Sequence, residues 1–193
     1  MGSKGSMALG ADVPFEMVAR SKALEIDAPP GERSPCILDG HDHSARLHPN
    51  PSRGHWQYRC DGGPGHGLGE IRAFLAYHDM RFISNIEGAR WHELLDYEAG
   101  LLVPRPVPPL PPGLSPTAVR VGEAWRLLVG LRHEMFGGQP FVFARQFVMA
   151  WCDVTDKQAR AGVEELERVG VMRRVGKHKR CVLWEPGGEL RVN

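Results

Sequence analysis

Cys36, His41, Cys60 and His66 are spaced C-x4-H-x18-C-x5-H in the stretch CILDGHDHSARLHPNPSRGHWQYRCDGGPGH, which holds five of the chain's nine histidines and two of its four cysteines. Thiolate sulfur and imidazole nitrogen are the donors that zinc takes in tetrahedral sites. Two ligand pairs separated by enough chain for two strands are a spacing such a site can use. The four residues are therefore the candidate ligands of a Zn2+ that staples a small module rather than one that turns over substrate. His43 is a substitute for His41, and His66 is the side chain near Cys60 able to close the site. A Cys36–Cys60 disulfide is the rival reading, but it leaves the crowding of histidines without a reason. His48 and His55 read as ordinary strand histidines.

A second chemistry lies near the C-terminus, where Arg173, Arg174, Lys177, His178, Lys179 and Arg180 gather with no acid among them. The net charge of +1 conceals this patch. Such a cluster suits a phosphate backbone, whose neutralisation releases counterions and makes binding depend on salt.

The elements that must position these groups can be read from pattern. At 193 residues, 42% apolar and 24% charged, the chain has the composition of a globular protein. No apolar run approaches the roughly eighteen residues that span a bilayer. Residues 1–6, MGSKGS, read as an expression tag, and the four cysteines, too sparse for a secreted disulfide framework, fit reduced thiols in a cytoplasmic protein. From Pro104 to Pro116 the sequence PRPVPPLPPGLSP contains seven prolines and favours an extended polyproline spacer. It divides a first module, 7–103, from a second, 118–193, with 104–117 as linker. A docking motif for a partner's aromatic groove is the sharper reading of the same stretch.

The first module opens with an amphipathic segment from Val13 to Leu24. Two short strands, Arg46 to Pro49 and His55 to Arg59, follow around the turn Asn50-Pro51-Ser52-Arg53-Gly54. Leu68, Ile71, Phe74, Leu75 and His78 share one helical face, and a further helix from about Glu87 to Glu98 carries Trp91, Leu94 and Leu95. In the second module Ala124, Leu128, Leu131 and Met135 follow the helical period up to Gly137-Gly138. A short helix, Ala144 to Trp151, and a tight turn at Cys152-Asp153-Val154 lead to Thr155 and Gln158, a capping box that starts a helix through Arg168. Two helices joined by three residues suggest a helix-turn-helix, with Lys157, Gln158 and Arg160 available to a major groove. Val171 to Val175 and Cys181 to Trp184 form a basic hairpin. The fold class expected is α+β: a zinc-ribbon-like hairpin module with flanking helices, then a winged helix-turn-helix domain.

The order of a short helix, a Cys/His pair, HDHSARLHPNP, WQYRC, a glycine-rich turn and GEIRAFLAYH resembles the zinc-binding domain of bacterial-type DNA primases over about Val13 to Tyr77. Cys36, His41 and Cys60 match that family's first three ligands, and His66 stands, at a wider spacing, where the family has a cysteine. The resemblance implies a template strand bound on the hairpin face, where Arg46, Arg53 and Arg59 alternate with Trp56 and Tyr58, one of which belongs to the core. With the second module, the whole resembles replication accessory proteins of actinobacterial plasmids and prophages. DNA, single-stranded or duplex, is then the partner, with a polymerase, primase or helicase nearby and no membrane. No acidic cluster of a primase active site and no G-x-x-x-x-G-K-[ST] loop is present, so the chain is expected to be non-catalytic. Two alternatives are a winged-helix transcription regulator and a His-Me finger nuclease in which Asp42 holds Mg2+ and His43 activates water.

Overall fold

The computed structural model describes residues 13–38, 44–62, 65–78, 85–136 and 138–188, without the side chains of 85–90 and 133–136. His41, Asp42 and His43 lie outside the described residues. The described residues are mixed α+β, with two antiparallel sheets. It divides into two compact units, Met1–Tyr77 and His78–Asn193.

In the first unit, alternation of apolar and polar residues builds a four-stranded sheet ordered β1-β2-β3-β4. β2 (Ala45–Asn50) and β3 (His55–Cys60) are joined by a 3-10 turn, Pro51–Arg53. Gly54 closes the turn at φ 64°, a left-handed conformation that glycine adopts without a Cβ clash. The short β1 (Arg33–Ser34) and β4 (His66–Gly69) flank this hairpin, and the sequence pattern had shown neither. Ala45 and Leu47 on β2, and Trp56, Tyr58 and Cys60 on β3, are buried on one face. Against this core lie α1 (Phe15–Lys22), which buries Met17 and Ser21, and α2 (Glu70–Tyr77), which buries Ala73, Phe74 and Leu75. Arg20 ties the helices to the hairpin, donating to the Gly54 carbonyl at 3.0 Å and pairing with buried Glu70 at 3.5 Å.

Trp56 and Tyr58 correct the expectation that one of them faces a ligand. Two residues apart on a strand share a face, and both are fully buried.

The second unit runs α3 (Asn85–Glu98), α4 (Pro116–Phe136), β5 (Phe141–Val142), α5 (Arg145–Trp151), α6 (Asp156–Arg168), β6 (Met172–His178) and β7 (Cys181–Pro186), with sheet order β5-β7-β6. The capping box forms as read: the Gln158 backbone N–H donates to Thr155 Oγ1 at 3.3 Å, and Gln158 Oε1 accepts from the Thr155 N–H at 2.9 Å. Gly162 on α6 lets the helix approach α4, its Cβ position lying 3.0 Å from the Val121 side chain. β5, also unseen in the sequence, pairs Phe141 and Val142 with Trp184 and Leu183.

Two boundaries differ from the sequence reading. α3 was expected with the first module, yet it belongs to the second unit, where Trp91 packs on Phe147 with ring centroids 5.0 Å apart and on Trp151 at 6.4 Å. Buried Glu93 accepts from Arg132 at 2.5 Å in the same core. The proline-rich stretch is likewise part of this unit and not a spacer between modules. The Arg105 N–H donates to the Gly130 carbonyl at 3.2 Å. Arg126 reaches the Pro108 and Val107 carbonyls, each at 2.7 Å. Leu110 sits over Gly122. Gly122, Arg126 and Gly130 recur every four residues, one stripe of a helix, so the stretch is a strap laid antiparallel along α4.

Candidate metal centre and basic surfaces

Register explains how the candidate ligands meet. Cys60 and His66 are a directly opposed pair on β3 and β4, and such pairs point to one face. That face is the buried one, since Cys60 alternates with Trp56 and Tyr58. Cys36 arrives from the loop after β1, where the Ile37 N–H donates to the Tyr58 hydroxyl at 2.9 Å and fixes the approach. The Tyr58 ring also stacks on His66, centroids 5.8 Å apart. Burial, reinforced by a hydrogen bond with Cys36, holds the Tyr58 phenol above its usual range. It is therefore a neutral post under the site.

One donor atom each from Cys36, Cys60 and His66 lies within 4.8 Å of the other two. Cys36 Sγ and His66 Nε2 are 3.6 Å apart. A tetrahedral zinc with bonds of about 2.3 Å to sulfur and about 2.0 Å to nitrogen has an S···N edge of roughly 3.6 Å, so the observed separation fits. Among the described residues no disulfide joins Cys36 and Cys60. Ser44 Oγ approaches Cys60 Sγ at 3.3 Å. Cys152 differs in kind: burial pushes it up to about 12, which makes it an inert core thiol.

The opposite face of the same sheet carries a feature the sequence reading missed. Arg33 opposes Arg46, and Arg46 opposes Arg59, so three guanidinium-bearing residues form one row across β1, β2 and β3. The next position in the row, on β4, is Gly67, which leaves the surface open. Asp61 accepts from Arg46 and from Arg59, each at 2.8 Å, and these bonds hold its carboxyl below the usual range. Arg46 and Arg59 thus lie where a surface-binding residue would, and Arg53 is exposed on the turn. Trp56 and Tyr58 lie on the other side.

In the second unit Arg173 through Arg180 are all exposed. Arg173 pairs with Glu185 at 2.7 Å and Arg174 with Glu167 at 3.1 Å. Among the described residues, Lys177, Lys179 and Arg180 have no such partner. Lys179 turns the hairpin at φ 54°. On α6, Lys157 is exposed, Arg160 pairs with Asp156 at 3.1 Å, and Gln158 is engaged in its cap. Between α6 and the hairpin lies a cleft of about 530 Å³ whose lining includes Arg145, Arg160, Arg174, Arg180 and Trp184.

These features define a mixed α+β chain with a Cys/Cys/His cluster at metal-binding distance and two surfaces dominated by cations. No family model, curated protein or solved structure matches it. Among the described residues no helix is long and apolar enough to cross a membrane.

Proposed function

We propose that the protein is a zinc-stapled DNA-binding protein, a non-catalytic accessory factor of replication in a mobile element. The observation that carries this reading is the cross-strand row Arg33, Arg46 and Arg59 on the outer face of the sheet whose inner face holds Cys60 and His66. Zinc held by Cys36, Cys60 and His66 would pin the loop after β1 and strand β4 to β3, and so fix the strands that carry the row. This chain's part in that role is positional: Asp61 aligns two guanidiniums, and Gly67 keeps the surface flat. Guanidiniums in a row suit phosphates rather than bases, because the rings once expected to stack on bases are in the core. For the second unit, the order helix, strand, two helices and a basic hairpin supports a winged helix, with Lys177, Lys179 and Arg180 toward a duplex backbone and Lys157 toward a groove.

The test is fluorescence anisotropy against single-stranded and duplex oligonucleotides over a salt series. Each phosphate contact contributes about 0.7 to the log–log salt slope on single strands and about 0.9 on duplex. Changing Arg33 and Arg59 to Gln should lower the single-strand slope by about 1.4, and changing Lys177, Lys179 and Arg180 to Gln should lower the duplex slope by about 2.7. Absence of binding at low salt, or slopes unmoved by both variants, would refute the reading.

A further inference from the structure

Exposure along the strap of the second unit follows a period of three. Pro104, Val107 and Leu110 are partly covered on the α4 side, while Val103, Pro106, Pro109 and Pro112 are exposed. Three residues per turn is the polyproline II repeat, so the second set forms one continuous ridge. It is wholly apolar, and Val103, at 79% exposed, is the most open large apolar side chain among the described residues. Arg105 and Pro108 form a second exposed ridge beside it.

We propose that this ridge is a docking ligand for a partner domain with a groove lined by aromatic rings. The chemistry of the ridge selects that occupant. Prolines offer no N–H groups for strand pairing, whereas their ring faces pack on flat aromatic surfaces, the mode by which proline-rich segments are recognised. The scaffold adds what a free peptide lacks. Pins at Gly130, Arg126 and Gly122 hold the segment extended before the partner arrives, so little ordering entropy remains to be lost on binding. The two carbonyls that Arg126 engages are already satisfied in part, so the groove reads ring faces above all.

The experiment titrates the full-length chain into three purified proline-recognition domains, one each of the SH3, WW and EVH1 types, with isothermal titration calorimetry as the readout. At least one should bind, and the double variant Pro106→Ala, Pro109→Ala should bind it at least about tenfold more weakly, a change of about 1.4 kcal/mol. Pro106 and Pro109 are both exposed, so circular dichroism should show the fold intact. Arg126→Ala, which unpins the strap, should also weaken binding. Three results would each overturn the proposal: no binding by any of the three domains at millimolar concentration, binding unmoved by the double proline variant, or tighter binding by Arg126→Ala, which would mean that α4 hides the segment.

Discussion

Replacing Gly130 with Ala tests whether the strap is seated on α4 as described. In an open helix interior this change stabilises by about 1 kcal/mol, because alanine loses less conformational freedom than glycine. Here the new Cβ would stand 2.7 Å from the Arg105 carbonyl oxygen and 3.0 Å from Pro104 Cβ. Neither atom can swing away as the end of a flexible side chain can. Forcing the strap outward resembles overpacking, about 1–3 kcal/mol. It also stretches the 3.2 Å bond from the Arg105 N–H to the Gly130 carbonyl, worth about 1 kcal/mol. Set against the propensity gain, the net expectation is a loss of about 1–3 kcal/mol. Urea unfolding followed by tryptophan fluorescence reads it, since Trp91 and Trp125 are buried in this unit. Gly122→Ala is the internal comparison: its nearest neighbours are the Leu110 methyls at 2.7 and 2.9 Å, which can rotate, so the loss should be smaller. If Gly130→Ala proves more stable than the parent by about 1 kcal/mol, the strap does not lie on this helix, and the reasoning fails.

Trp91→Ala removes a ring packed on Phe147 and Trp151 and should destabilise the second unit by about 3–5 kcal/mol, measured by the same unfolding curves. Thr155→Ala deletes one half of the capping box and should cost about 1 kcal/mol. Purified parent protein should carry zinc by elemental analysis, with Cys60→Ser and His66→Ala markedly depleted; retention of full zinc by both variants would dismiss the cluster as its site. Glu165 accepts from the Ser115 hydroxyl at 2.7 Å and its backbone N–H at 2.9 Å, bonds that hold the carboxyl below its ordinary 4.5. Because the folded value is the lower one, this contribution is complete above pH 4.5 and fades as pH falls through the depressed value. Glu165→Gln should therefore flatten the acid side of the stability profile below pH 4.5.

Much of the second unit was legible because its signals are local. The capping box at Thr155 and Gln158 needs only four residues to form, and the hairpin around Lys179 needs only two adjacent strands. On α6, Ala159 and Leu166, seven residues apart and so on one helical face, are buried as the helical period alone requires. The allegiance of α3 was not legible. Its apolar face with Trp91 could pack on either module, and chain proximity favoured the wrong one. Length and proline content marked the strap as extended, but only the stripe of Gly122, Arg126 and Gly130 on a helix that follows it decided that it is pinned.

For the candidate site, residue types alone determined the chemistry on offer: two thiols and several imidazoles in one short stretch, and cations without acids near the C-terminus. Which of them meet was decided by register. Cys60 opposes His66 because β4 pairs with β3 in one alignment, and a slip of one residue would turn His66 to the opposite face of the sheet. The same alignment sent Trp56 and Tyr58 inward and lined up Arg33, far upstream, with Arg46 and Arg59. Spacing along a chain specifies what a helix or a turn does with its own neighbours, but a face shared by three strands comes into being only once those strands have paired.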